Sequence, residues 1–230
     1  MRLLVATLLF VAASRAAQAG ICIDESEFED AVGLLEKRVT NPKQDMGYAS
    51  ICMPGAVTGE YATKKRIARV NAACTKILTR DPADQQCVML AGYQNKTELG
   101  GVNIFDAIAA WNSGPWSGPR TMGTWDSDFV SIDLYIFKTL GDTRAAALVV
   151  ERWNTFQPQA DAKEKSRKRT RSDMPAWSRW RQQAAAVLGA VGTSSDIEFL
   201  EKQASATKDT VVKRACKTAI AAIKKREPTP

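Results

Sequence analysis

Five cysteines are the residues best equipped for covalent chemistry: Cys22, Cys52, Cys74, Cys87 and Cys216. A thiol becomes a nucleophile when a neighbouring base takes its proton, and that base is most often histidine. The 230-residue sequence contains no histidine. Cys-His and Ser-His-Asp catalysis, His-based zinc sites and histidine pH switching are therefore removed together. No C-x-x-C spacing is present, so a thiolate metal site is not expected. Disulfides remain. Asp81-Pro82 lies between Cys74 and Cys87 and reads as a turn between two antiparallel helices. A Cys74–Cys87 bridge would staple that hairpin, and Cys22–Cys52 would tie down the N-terminal helix. Five is odd. Cys216 follows Ala215 on an apolar helical stripe and is expected to be the free thiol, packed as a small apolar group.

Carboxylates come next. Asp126 and Asp128 precede Asp133, and Glu25, Glu27, Glu29 and Asp30 cluster near the start. A carboxylate pair is the equipment of glycoside hydrolysis. Here Asp126 reads as a helix cap, and the glutamates complement the positive end of a helix. No catalytic residue, cofactor or metal is assigned, and the chain is not expected to be an enzyme. An enzyme with an unrecognised site is the remaining alternative.

The six tryptophans divide by context. Trp111 and Trp153 fall at core spacing. Trp116 and Trp125 frame a Gly/Pro-rich stretch and read as a lid over the core, with a glycan- or peptide-stacking platform as the alternative. Trp177 and Trp180 lie three apart beside Arg179 and Arg181. One ring is expected to pack inward and the other to join a basic patch through cation–π contact.

That patch is the strongest charge feature. Residues 161–181 hold eight basic side chains (Lys163, Lys165, Arg167, Lys168, Arg169, Arg171, Arg179, Arg181) against three acidic ones. The surplus equals that of the whole chain beyond residue 19, so the basicity reads as local. It suits an acidic protein, an anionic polymer or a membrane surface. Nucleic acid is not an expected partner, because no binding motif accompanies the charge.

Helical periodicity positions these residues almost throughout. Asp24 to Glu27 resembles a capping box opening a helix to about Arg38. Residues 43–58 read as a loop. Helices are expected over 61–79, from Asp81-Pro82 to about Ala91, and over 103–111. Asn95-Lys96-Thr97 is a glycosylation sequon and equally a helix start. Gly/Pro-rich residues 113–124 form the interior boundary. Helices follow over 126–140, 143–156, 177–191, 196–206 and 210–225, with 158–175 as a long basic loop. No period-two alternation stands out, so the fold is expected to be all-α.

Residues 1–19 read as an export signal: Arg2, an apolar run from Leu3 to Ala13, and Ala17-Gln18-Ala19 as a cleavage site. The mature chain is expected to start at Gly20, to lack a transmembrane segment, and to be periplasmic or secreted. Its divisions are then a helical N-terminal part over 20–112, a second helical part over 126–225, and a flexible tail over 226–230.

The second part carries a resemblance. The segment from Arg181 to Gly192, with its alanines, Leu188 and a glycine turn, resembles the second helix of a HEAT repeat. Ser195 to Glu198 reads as a capping box for the next first helix. Asp209 to Ala215 is similar to that family's Asp-x-x-Val-Arg-x-x-Ala helix start. Leu140-Gly141 and Leu188-Gly189 lie 48 residues apart, near the period of about 40–47 for such units. The resemblance implies an α-α superhelix, a HEAT-like solenoid, over 126–225, with a divergent cysteine-containing helical part before it. It also implies a non-catalytic scaffold or adaptor that docks another envelope or secreted protein. A polyanion- or cell-wall-binding protein using the 163–181 patch is the alternative.

Overall fold

A computed structural model describes residues 22, 24–47, 49–111, 114–115, 120–121, 130–165 and 173–226. The expected signal and cleavage site, Trp116, Trp125, Asp126, Asp128 and residues 227–230 of the tail lie outside the described residues, as do Arg167, Lys168, Arg169 and Arg171; Arg226, expected in the tail, is helical. Among the described residues there are ten α-helices and a few two-residue strands. The chain is all-α, in two compact units: the first takes the chain up to Ala107 together with Thr121–Asp128, and the second takes Ile108–Arg120 and the chain from Phe129 on.

The first unit holds α1 (Glu25–Thr40), α2 (Ala49–Val57), α3 (Lys64–Arg80), α4 (Gln85–Tyr93) and the start of α5 (Ile104–Ala109). Asp24 caps α1 in a capping box with Glu27. Helix α1 packs on α2 and α3, burying Phe28, Val32 and Leu35 beside Met53, Val70, Ile77 and Leu78. Residues 49–57, expected as loop, are helical although Pro54 lies among them. Gly55 explains the close approach: a Cβ there would meet the Phe28 ring at 2.5 Å. The expected helix start at Asp81-Pro82 is also corrected. Asp81 terminates α3, and Asp84 caps α4 by accepting from the Cys87 N–H.

Thr97 does not start a helix. Glu98–Leu99 and Val102–Asn103 form a small antiparallel hairpin. Its turn is Gly100-Gly101, with φ of 60° and 78°. Two consecutive positive φ values suit a two-residue primed turn, which glycine adopts without strain. The chain therefore reverses at the point where the sequence reads only as a break.

Both expected disulfides are present. Cys22–Cys52 (Cα–Cα 5.6 Å) ties the segment before α1 to α2. Cys74–Cys87 (5.1 Å) joins α3 to α4. Cys216 is free and buried. Disulfides of this kind persist in an oxidising, extracytoplasmic compartment. Among the described residues no helix is long and apolar enough to cross a membrane.

The second unit holds α6 (Ile132–Leu140), α7 (Arg144–Lys165), α8 (Asp173–Val191), α9 (Ile197–Ala206) and α10 (Thr210–Arg226). The basic stretch is not one long loop. Helix α7 continues through Pro158 to Lys165, and α8 begins at Asp173. Pro158 removes one backbone donor, yet Trp153 and Ala160 on either side of it are buried. Pro175 lies in the first turn of α8, where a missing N–H costs little. Gly141 at φ 66° ends α6 in the left-handed conformation. The cap after α8 sits earlier than Ser195: the Thr193 N–H donates to Asp196 at 2.8 Å.

Helix α8 is central. It packs on α7, on α6 and on α10, and α9 packs on α10. Ser178 meets Asp209 near the start of both α8 and α10, and Gly189 meets Ala219 further along both. The two helices therefore run parallel. Ala184, Leu188, Leu200, Val212, Ala219 and Ile223 are buried, and so is Cys216, as expected. Ile197, Ala215 and Ile220 are only half-buried.

Candidate interaction surface

The residues expected to bind a partner separate into two groups. Lys163 and Lys165 lie in the last turn of α7. The remaining cations of the run follow them, and α8 starts two residues after Arg171. The basic run thus bridges two packed helices.

The residues after it are locked inward. Trp177 and Trp180 are both buried, at 1% and 0% exposure, so the expected outward ring is absent. Their rings stack at 5.4 Å, and each meets Trp153 edge-on. Phe199 closes on Trp153 at 5.5 Å. Arg181 is also buried. Its guanidinium lies 5.1 Å from the Trp177 ring centroid and 3.9 Å from Asp209. Burial pushes the Asp209 carboxyl up, but bonds from Ser178 and the Val211 and Val212 N–H groups outweigh it and leave the carboxyl below its usual value. These contacts fix the start of α10 against α8. Arg179 is half-buried. Trp177, Trp180 and Arg181 are therefore corrected from partner contacts to the frame that holds the basic run.

A second cationic feature escaped the charge count. Helix α10 carries Lys213, Arg214, Lys217, Lys224, Lys225 and Arg226, and no acid. All six are exposed. Arg226 turns back to the Gly189 and Gly192 carbonyls. Among the described residues the side chains of the other five make no ion pair or hydrogen bond. Lys213 and Lys217 line a shallow groove of about 440 Å³ between α9 and α10, with Ala204 and Ile220 on its floor and Glu201 on the opposite wall. Netting charge over the whole chain hid this face, because the acids of α1 offset it. Reading 210–226 at helical period would have found it.

Three of those α1 acids are committed within the first unit. Glu29 accepts from Arg66 and Arg69, Glu36 accepts from Arg69, and Glu25 accepts from Arg66. The arginine hydrogen bonds hold the Glu29 and Glu36 carboxyls below their ordinary value. Asp133 is likewise occupied. It is buried, accepts from Ser131 and pairs with Arg152 at 2.6 Å. Burial lowers the Arg152 pKa, and Arg152 also donates to the Ala109 and Trp111 carbonyls. No sequence signal links Asp133 to Arg152, nineteen positions away. Among the described residues no group of three acids or cysteines is placed to hold a metal ion.

No family model matches the chain, and no curated protein or solved structure matches it.

Proposed function

We propose that the chain is an exported, non-catalytic scaffold that docks an acidic protein of the envelope or secreted milieu. In this reading the second unit is a short HEAT-like stack, and the basic run over 163–171 is its docking element. The observation that carries it is the anchoring of that run. It leaves the last turn of α7, where Lys163 and Lys165 stand, and enters α8, whose Trp177, Trp180 and Arg181 are held in the core. Six cations fall within nine positions of the sequence, and an anionic partner relieves their repulsion. The packing of α8 on both α6 and α10 supports the stack, since repeats bury their faces against neighbours. Residues 1–19 supply the export signal, and the two disulfides agree with the destination.

The experiment is affinity capture from native envelope extract with the mature protein and with Arg167→Ser/Lys168→Ser/Arg169→Ser/Arg171→Ser. The variant should lose the partner, chiefly through slower association. Recovery of the same partner at the same salt tolerance overturns the reading.

A further inference from the structure

We propose that the outer face of α10 is a second docking surface, and that it lies against a membrane surface rich in anionic lipid. This goes beyond the protein-docking reading and does not depend on it.

The geometry starts from the buried stripe. Val212, Cys216, Ala219 and Ile223 point into the core. At about 100° per residue, Lys213, Lys217, Lys224, Arg214 and Lys225 then fall within about a third of the helix circumference, on the open side. Their span along the axis is about 18 Å at 1.5 Å per residue. Between them stands Ala221, and Thr210 and Thr218 border the array, all exposed. The acid nearest in the groove, Glu201, pairs with neither lysine that lines it.

Three features favour a lipid surface over a protein. A protein hot spot centres on a large side chain entering a well-packed pocket, and the groove beside this face is shallow, floored by Ala204 and Ile220. The large apolar side chain exposed on α10 is Val211, at 49%, at the edge of the face. Four of the five cations are lysines. Lysine is a hydrated point charge on a flexible stem, whereas fixed carboxylates favour the arginine fork. Finally, the five charges spread over a convex helix with no charge of opposite sign. A plane of mobile anionic headgroups can rearrange beneath such an array; a folded acidic protein must present its own matching curvature.

The test uses the mature, disulfide-bonded protein and co-sedimentation with two vesicle types: phosphatidylcholine alone, and phosphatidylcholine mixed with phosphatidylglycerol. Wild type should bind only the mixed vesicles, and raising the salt should release it, as screening requires. Each basic residue near an anionic surface tightens binding roughly fivefold, so Lys213→Gln/Lys217→Gln/Lys224→Gln should weaken it about 100-fold. The same charge change in the first unit, Lys43→Gln/Lys64→Gln/Lys65→Gln, should leave binding within a few-fold of wild type. These lysines are exposed, and circular dichroism should find both variants folded; three single Lys→Gln variants repeat the measurement at smaller perturbation. The four-serine variant over 167–171 retains α10 and should still sediment, so loss of protein capture and loss of vesicle binding are read apart. Failure of wild type to bind mixed vesicles, equal binding to neutral ones, or an unaffected α10 variant overturns the proposal. So does binding to soluble polyglutamate in preference to vesicles, which would assign the face to an acidic protein.

Discussion

Gly189 of α8 and Ala219 of α10 meet at close quarters: a Cβ on Gly189 would lie 2.9 Å from the Ala219 Cα and 3.1 Å from its Cβ. A backbone atom cannot move aside as a flexible side chain can. Gly189→Ala gains about 1 kcal/mol of helix propensity but forces the helices apart, and overpacking costs about 1–3 kcal/mol. The net effect should be destabilising in urea melts. Gly33, inside α1, has nothing within 4 Å of its Cβ position. Gly33→Ala should raise stability by about 0.5–1 kcal/mol. Two identical substitutions in two helices thus differ in sign.

The Cys74–Cys87 bridge closes a short loop across the α3–α4 turn, with a sequence separation of 13. A loop of this size gives about 3 kcal/mol in the chain-entropy account. Cys74→Ala/Cys87→Ala should lower stability by about 2–4 kcal/mol. A loss below about 0.5 kcal/mol in urea melts would mean the α3–α4 packing holds without the bridge.

Much of this architecture is legible in the sequence, and the failures have physical causes. Asp24–Glu27 capping, the cysteine pairing and the free Cys216 follow from local spacing. Pro54 and Pro158 read as breakers, yet both are helical, because neighbouring side chains such as Phe28, Trp153 and Ala160 are buried by tertiary packing. On α10 the apolar residues read as one broad stripe; packing against Gly189 buries Cys216, Ala219 and Ile223 and leaves Ala215 and Ile220 at its edges, half-buried. At the candidate surface, Trp177 and Trp180 look amphipathic beside arginines. Nothing local reveals that Trp153 and Phe199 close on them. The α10 cations were hidden for another reason: net charge has no direction, whereas a helix face does.

Acid should weaken the first unit by a specific route. Glu29 and Glu36 titrate below their ordinary value of 4.5 because Arg66 and Arg69 bond to them. The unfolded chain therefore binds protons first as pH falls. The stabilisation is complete above the unfolded value and is lost as pH drops through the lower folded values. Both carboxylates are well exposed, at 45% and 40%, so the effect is modest. Arg69→Met should flatten the fall in melting temperature between about pH 5 and pH 3. An unchanged slope would place the acid sensitivity elsewhere.

Cys216 should be chemically silent while the protein is folded. It is fully buried, and burial pushes its thiol up to about 11. Attack requires the thiolate, so a disulfide reagent at mildly alkaline pH should modify it only as fast as the second unit opens. One equivalent should react promptly in denaturant. Prompt reaction in buffer would mean that α10 opens readily from α8.

The buried Asp133–Arg152 pair should behave as a coupled unit. Arg152 donates to the Asp133 carboxylate and to the carbonyls of Ala109 and Trp111. Asp133→Ala takes a charged acceptor from a buried guanidinium, and breaking such a pair costs about 3–5 kcal/mol. Arg152→Met takes a charged donor from a buried carboxylate and removes the hydrogen bonds to the two carbonyls, and its cost should be of similar size. Asp133→Leu/Arg152→Met removes both charges and should cost less than the sum of the single variants by about 1–3 kcal/mol. Urea melts of all three at neutral pH provide the cycle. Additive losses would show that the two residues contribute through packing and not through their charges.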